Sequence, residues 1–254
     1  MKNKKVSFMK NMILIGLCMA LSMGQGFSFD SGSNEVTYNG TWSSTSGNGM
    51  IGTPGNSQTN HFRQALTVSS SIQLNYATNI FDGAITINSY EQLDLSVSTN
   101  IFNGIININA GGSLRLLEAI NTFGENCVIN IGSGSGIYIH GGTISAPINL
   151  NGESTRINYY GTTTINRVNV KNDSQIEGSA GTLTIDILDL TNNSGTMPNL
   201  TNTTTGNLII NNIIGGGTYS GAYTVGQVFA TEAAYQTYLS GLKTASLSSF
   251  TTST

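Results

Sequence analysis

Asn79-Ile80-Phe81-Asp82-Gly83-Ala84-Ile85-Thr86-Ile87-Asn88 is answered, 21 residues on, by Asn100-Ile101-Phe102-Asn103-Gly104-Ile105-Ile106-Asn107-Ile108-Asn109. A worn copy, Asn121-Thr122-Phe123-Gly124, follows after another 21. Each copy runs into a short stretch in which apolar and polar residues alternate. Ile85-Thr86-Ile87-Asn88 becomes Ile106-Asn107-Ile108-Asn109, then Ile129-Asn130-Ile131-Gly132, Ile148-Asn149-Leu150-Asn151 and Val168-Asn169-Val170-Lys171. A second alternating strand lies a few residues further along each copy: Leu93-Asp94-Leu95, Leu114-Arg115-Leu116, Ile137-Tyr138-Ile139, Thr155-Arg156-Ile157. Alternation of period two means one buried and one wet face.

Three short strands per repeat, joined by tight corners, describe a coil. A coil cannot bury its apolar face alone, but stacked coils put Ile on Ile and Leu on Leu. The expectation is an all-β, right-handed parallel β-helix (β-solenoid) of about seven coils, each of 19–23 residues, followed by a short helix. Asn88, Asn109 and Asn151 at strand ends are expected to take the left-handed corner conformation and to form side-chain ladders. On the second strand the outward column reads Asp94, Arg115, Tyr138, Arg156, with Asp94 and Arg115 one coil apart and able to pair.

Outward from this core, the repeat divides the chain. Residues 27–74 lack it and read as an N-terminal cap and linker, 75–229 as the β-helix, and 230–254 as a short helix with a Ser/Thr-rich tail. Thr231 is a candidate N-cap, the helix runs to Leu239, and Gly241 is a stop signal. Residues 1–26 read as a signal peptide. Lys2 to Lys10 are basic, and Met12 to Ser22 form an apolar stretch short of the ~20 residues a membrane span needs. Cleavage is expected after Ser22 or Gly26. Cys18 is preceded by Leu17, where a lipidation site wants a small residue.

Composition agrees with a rod of strands. Charged residues make up 9%, against about 25% in an ordinary soluble domain. There are 31 Gly and only 3 Pro, and Asn, Thr and Ser fill the surface. The net charge is −3, and without the four N-terminal lysines 13 acidic groups face 6 basic ones. Nucleic acid is excluded as a partner, because phosphate binding needs clustered Lys and Arg. No later segment is apolar enough to span a membrane.

The organisation resembles the passenger domains of bacterial autotransporters and related secreted β-helix proteins. The residues that carry it are Gly83 to Asn88, Gly104 to Leu116, and Gly142-Thr143-Ile144. The resemblance implies a secreted or cell-surface protein of a Gram-negative bacterium, adhesin-like or structural, whose partner is a host surface, matrix or glycan. That family also carries a C-terminal translocator barrel. Nothing after Phe229 offers alternating, aromatic-flanked strands, so either the protein leaves by another route, the gene is split or truncated and a separate translocator serves it, or the analogy stops at the fold.

Polysaccharide lyases and glycosidases also use parallel β-helices, and a carbohydrate-active enzyme is the alternative reading. Such an enzyme needs two or three carboxylates converging on one face. Asp186 and Asp189 fall on opposite faces of a regular strand. Glu91, Glu118, Glu153 and Asp173 fall in corners and can form at most an acidic edge. Asp82 and Asn103 form a column that ends at Gly124. His61 and His140 are too isolated for a zinc site, which wants three or four close ligands, and His140 reads as a turn residue. Cys127 lies in a strand-like run and reads as a small buried hydrophobe. Gly132-Ser133-Gly134-Ser135-Gly136 and Gly215-Gly216-Gly217 lack the Asp of calcium-binding solenoids. The sequence therefore nominates no catalytic, cofactor-binding or metal residue, and a non-enzymatic role. Tyr159, Tyr160, Tyr219, Tyr223, Tyr235 and Tyr238 are candidates for contact with sugars or a partner surface. A third reading is a self-assembling fibre subunit, since a solenoid's end exposes unpaired strand edges unless something covers them.

Overall fold

A computed structural model describes residues 27–30, 35–38, 42–44, 49–50, 58–171, 174–193, 199–202, 207–215 and 224–250. Residues 1–26, expected as a signal peptide, Asp173, Tyr219, Tyr223 and residues 251–254 lie outside these.

The repeated residues meet one coil apart. Thr78, Asn79, Ile80 and Phe81 pair in parallel with Thr99, Asn100, Ile101 and Phe102, which pair in turn with Ile120, Asn121, Thr122 and Phe123. The spacing of identical residues along the chain has thus become stacking of identical residues in space, one strand separation of about 4.8 Å per coil. The chain is a parallel β-solenoid with a single C-terminal helix.

Three faces run along it. The first holds Glu35–Tyr38, Gln58–Phe62, Ala77–Phe81, Thr99–Phe102 and Ile120–Phe123. The second begins with Trp42–Ser44, Leu66–Val68, Ile85–Ile87, Ile106–Ile108, Ile129–Ile131 and Ile148–Leu150. The third begins with Gly49–Met50, Ile72–Gln73, Gln92–Asp94 and Ser113–Leu116. From Gly136 onward the strands lengthen and bend around corners instead of stopping at them. Thr155–Val170 serves all three faces in one strand of 16 residues.

The first face is not one ladder. Its N-terminal part ends at Ile120–Phe123. In the next coil the same position is taken by Gly142–Ile144, which pairs only onward, with Thr163–Ile165, and then with Leu183–Ile185, Leu208–Ile210 and Thr224–Val225. The other two faces continue across this seam through Ile106↔Ile129↔Ile148 and Leu114↔Ile137↔Ile157.

The sequence boundary at residue 75 is too late. Gln58–Phe62, Leu66–Val68 and Ile72–Gln73, expected as cap and linker, are a full coil in parallel register with the next. Trp42–Ser44 and Gly49–Met50 stack one coil further out. These rungs hide because only part of the motif is kept: Asn60 and Phe62 lie under Asn79 and Phe81, but His61 stands where the repeat has Ile80, and Leu66 and Val68 replace the paired isoleucines Ile85 and Ile87. A cap is present further out. Phe27–Asp30 folds back antiparallel on Glu35–Tyr38 and covers the N-terminal edge of the first face.

Inward side chains form the core. Ile85, Ile87, Ile106, Ile108, Leu114 and Leu116 are all buried, each contributing roughly 1.5–3 kcal/mol for burying a side chain of this size. Phe62, Phe81, Phe102 and Phe123 stack face to face at centroid distances of 5.1, 5.4 and 5.1 Å. Cys127 is buried among them, as expected, and burial pushes its thiol up to about 11.

Beside the rings runs a ladder of asparagines. Asn60 Nδ2 donates to Asn79 Oδ1 at 2.9 Å, Asn79 to Asn100 at 2.9 Å, and Asn100 to Asn121 at 3.0 Å. Asn60, Asn79 and Asn100 are fully buried. Ladders were expected, but on Asn88, Asn109 and Asn151. Those three are not the left-handed residues either. One corner takes positive φ at Tyr76, Val97, Glu118, Gly141, Gly161 and Gly181, the other at Tyr90, Gly111, Gly134 and Ser154. The left-handed residue sits two or three places beyond the strand-end Asn, at the point where the backbone reverses. At Gly181 an added Cβ would lie 2.2 Å from the Gly161 carbonyl oxygen, so that corner admits no side chain.

The helix is α1 (Glu232–Phe250). Thr231 caps it as expected, its Oγ1 accepting the Ala234 N–H at 3.2 Å. Gly241 does not stop it. A helical glycine costs about 1 kcal/mol against alanine but breaks nothing, and the region expected as a loose tail from Thr244 continues helical to Phe250. Among the described residues no helix is long and apolar enough to cross a membrane, which says nothing of a β-barrel.

Candidate functional site

The three outward faces differ in chemistry because each repeats a different pair of residues. On the first face the inward positions are Asn and Phe, so the outward ones are the Thr and Ile between them. Thr59, Thr78, Thr99 and Ile120 form one column; His61, Ile80, Ile101 and Thr122 form the next. Beyond the seam the columns resume as Thr143, Thr164, Thr184, Ile209 and Thr224, with Thr162 and Thr182 beside them. From Thr59 to Thr224 no Asp, Glu, Lys or Arg occupies these positions, and Glu35 continues the first column one rung further out. Rungs about 4.8 Å apart, with outward residues roughly 6.6 Å apart along each strand, make a lattice of methyl and hydroxyl groups on either side of the seam.

At the margin of this face His61, Asp82 and Asn103 link three coils. His61 Nε2 lies 2.7 Å from Asp82 Oδ2, and Asn103 Nδ2 donates to Asp82 Oδ1 at 2.9 Å. Partial burial works to raise the Asp82 carboxyl, but the hydrogen bonds from Asn103 and His61 and the charges of His61 and Arg63 hold it below its ordinary value.

The second face is lined by Thr67 and Thr86 and then by Asn107, Asn130, Asn149 and Asn169. Their amides bond to one another at 2.9, 2.8 and 2.6 Å. This ladder engages the groups a ligand would otherwise meet.

The third face carries the charges. Asp94 and Arg115 are in register as expected, but they do not pair. The Asp94 carboxylate turns to Ser96, accepting its N–H at 3.0 Å and its hydroxyl at 2.5 Å. The Arg115 Nε is buried without a partner. Arg156 does not join this column. It lies opposite Gly136, and Asn158 and Glu177 follow Tyr138 instead, because the strand holding Arg156 begins two residues earlier relative to the ladder.

The carboxylates weighed for chemistry are scattered and engaged. Glu91 accepts from Ser71 at 2.9 Å at one corner. Glu118 sits at another, 3.9 Å from His140, so the two do not share an edge. Glu153 lies at the first corner again, where its carbonyl accepts the Gly134 N–H. Asp186 accepts from Asn211 at 2.8 Å on the surface. Asp189, on the other side of the strand, is buried and holds Thr191 and Arg167. Among the described residues no three His, Cys, Asp or Glu are grouped to hold a metal ion. His140 lies in the strand Gly136–Ile144, just ahead of the two left-handed glycines at its corner.

Of the tyrosines nominated for contact, Tyr159 is core, its ring filling the space that glycine leaves at 178. Tyr235 is buried and Tyr238 half-buried against Phe229, with ring centroids 5.3 Å apart in both cases. Tyr160 remains exposed. Tyr76 and Tyr90, not singled out in the sequence, are exposed at left-handed corners, and Tyr90, 85% exposed, lays its ring against Gly111 of the next coil.

Fold and surface together define a parallel β-solenoid with one Thr/Ile-rich face of few charges, one self-bonded Asn face and one charged face. No family model, no curated protein and no solved structure matches the chain.

Proposed function

We propose that this chain is an exported, non-enzymatic β-solenoid of the bacterial cell surface or medium, adhesin-like or structural, which lays its first face against a neutral, hydroxyl-rich polymer such as a matrix or host glycan. The observation that carries this reading is the Thr/Ile lattice. A repeating polymer meets small hydroxyl and methyl groups at each coil, as Thr/Ile at Thr78/Ile80 and Thr99/Ile101 and as Thr/Thr at Thr162/Thr164 and Thr182/Thr184, and few charges have to be desolvated to bring the two surfaces together. The basic and apolar leader supports export. The carboxylates of the structure brace corners and strands, and the Asn face bonds to itself, which leaves the first face as the contact surface.

Co-sedimentation with insoluble neutral polysaccharides tests this. The full chain should pellet with at least one of them. Ile101→Lys should weaken that binding about tenfold or more, whereas Gln175→Lys on the third face should leave it unchanged. Binding insensitive to Ile101→Lys, absence of binding to every neutral polymer, or release of soluble reducing sugar would each overturn the reading.

A further inference from the structure

The two ends of the solenoid are finished differently. At the N-terminal end the antiparallel strand Phe27–Asp30 occupies the edge of the first face. At the other end the last rung, Thr224–Phe229, pairs with Asn207–Ile214 on one side only. No described strand lies on its far side. Helix α1 leans on Phe229 through Tyr235 and Tyr238 and leaves the rest of the rung in solvent. Val228 shows this: it continues the fully buried position of Ile213, yet is 45% exposed.

Apart from the helix against Phe229, this edge carries little that keeps edges apart. Thr224-Val225-Gly226-Gln227-Val228-Phe229 has no charge and no proline, and the strand has a regular register with its neighbour except at the Gly226 corner. Its side chains are also self-complementary. Val225 and Val228 continue the inward positions of Ile210 and Ile213, Thr224 and Phe229 point outward at the two ends, and Gly226-Gln227 form the corner between.

We propose that the partner of this edge is a second copy of the chain, joined end to end about a two-fold axis through the corner. The strand then pairs antiparallel with its own copy, Thr224 opposite Phe229, Val225 opposite Val228 and Gly226 opposite Gln227. This register superimposes corner on corner and sets inward residues against inward residues, so that the two cores close over one another. Shifting it by one residue would put Val228 opposite an outward side chain. Because the contact is isologous it uses up the open end and stops at two chains. In a head-to-tail fibre Thr224–Val225 would meet the first face at the N-terminus, where the antiparallel Phe27–Asp30 breaks the parallel register, and only Gln227–Phe229 could add in parallel, to Trp42–Ser44; the two-fold contact engages the whole rung. This inference concerns the end of the rod and is independent of what the Thr/Ile face binds.

Light scattering coupled to size exclusion, on the full chain, should give twice 26.7 kDa. Val228→Lys should convert the dimer to monomer with an unchanged far-ultraviolet circular dichroism spectrum. As a second measurement, Gln227→Cys should form a disulfide-linked dimer under mild oxidation, since the two Gln227 residues flank the axis, and the unsubstituted chain should not. A monomer at high micromolar concentration, oligomers that keep growing with concentration, or a dimer in which Gln227→Cys does not cross-link would overturn the proposal.

Discussion

Asparagine appears in two ladders here, and its surroundings decide what each is worth. Asn100 is fully buried and serves four groups. Its Oδ1 accepts from Asn79 and Ser98, and its Nδ2 donates to Asn121 and to the Leu95 carbonyl. Truncation strands several of these where water cannot reach, and each buried orphan costs about 1–3 kcal/mol. Asn79 keeps its bond to the Leu74 carbonyl, and Ser98 its bond to Leu95, so the loss is partial. Asn100→Ala should destabilise by about 2–3 kcal/mol. Asn130 bonds along its ladder in the same way but on the wet side of the second face, where water replaces the lost amide. Asn130→Ala should cost less than about 1 kcal/mol. Urea midpoints of the two variants measure the difference, and equal losses would contradict the assignment of inner and outer roles. From sequence the two kinds look alike. Asn79 and Asn100 open their motif, Asn107 and Asn130 sit between isoleucines, and only the three-dimensional coil says that the first pair points in.

The elements were legible where inward residues repeat and obscure where they do not. Ile85-Thr86-Ile87 and Ile106-Asn107-Ile108 announce strands because the buried residue is the same and β-branched each time. Gln58-Thr59-Asn60-His61-Phe62 has no such run, and its membership shows only in the 19-residue step from Asn60 to Asn79. The corners were misplaced because Asn tolerates positive φ, whereas the backbone reverses beyond it at Tyr90, Gly111, Gly134 and Ser154. The Thr/Ile face escaped notice for a related reason: outward residues look like filler until register lines them up. Helix α1 shows what long-range contacts add to a short apolar signal. Its first residue, Glu232, accepts from Arg167 at 2.8 Å, and Arg167 also holds Asp189 at 2.5 Å. Bonds from Arg167 and Gln236 hold the Glu232 carboxyl below its ordinary value. Asp189 is also low, because bonds to Thr191 and Arg167 outweigh the burial that would raise it. Carboxyls depressed in the folded state stabilise it fully above their ordinary range near pH 4 and lose that contribution as pH falls through the depressed values. The helix should therefore stay docked at neutral pH and loosen below about pH 4, seen as loss of the near-ultraviolet tyrosine signal of Tyr235 and Tyr238. Glu232→Gln should loosen it already at pH 7. Since Glu232 is partly exposed, the pair is worth at most about 1 kcal/mol, and amide exchange in the first turns of α1 should rise about 2- to 5-fold. A tyrosine signal independent of pH down to 2.5 would rule out the ion cluster as the anchor.

For the whole molecule, stability is close to a sum over neighbouring coils, because each coil touches only the one before and the one after. Such a rod unfolds as one unit only if every interface is about equally strong. The seam on the first face breaks that condition. Between Thr99–Phe102 and Ile120–Phe123 all three faces carry backbone hydrogen bonds, whereas from Ile120–Phe123 to Gly142–Ile144 the first face carries none. The side chains report the same weakness. Ile120 is 70% exposed, and Phe123, last of the stacked rings, is only partly buried where Phe81 and Phe102 are fully so. Coupling across this interface rests on the second and third faces, through the continuous rows Ile106↔Ile129↔Ile148 and Leu114↔Ile137↔Ile157. Native-state amide exchange in rising urea should then resolve two cooperative bodies, residues 58–123 and 142–229, with the Ile120–Phe123 amides the least protected of the first-face strands. Phe102→Ala, which removes the middle of the ring stack at about 3–5 kcal/mol, should lower the exchange free energies of the first body and leave the second nearly unchanged. Ile185→Ala should do the reverse. If either substitution lowers protection equally along the whole rod, the two remaining faces transmit enough coupling by themselves, and the seam is a local gap in one ladder with no consequence for cooperativity.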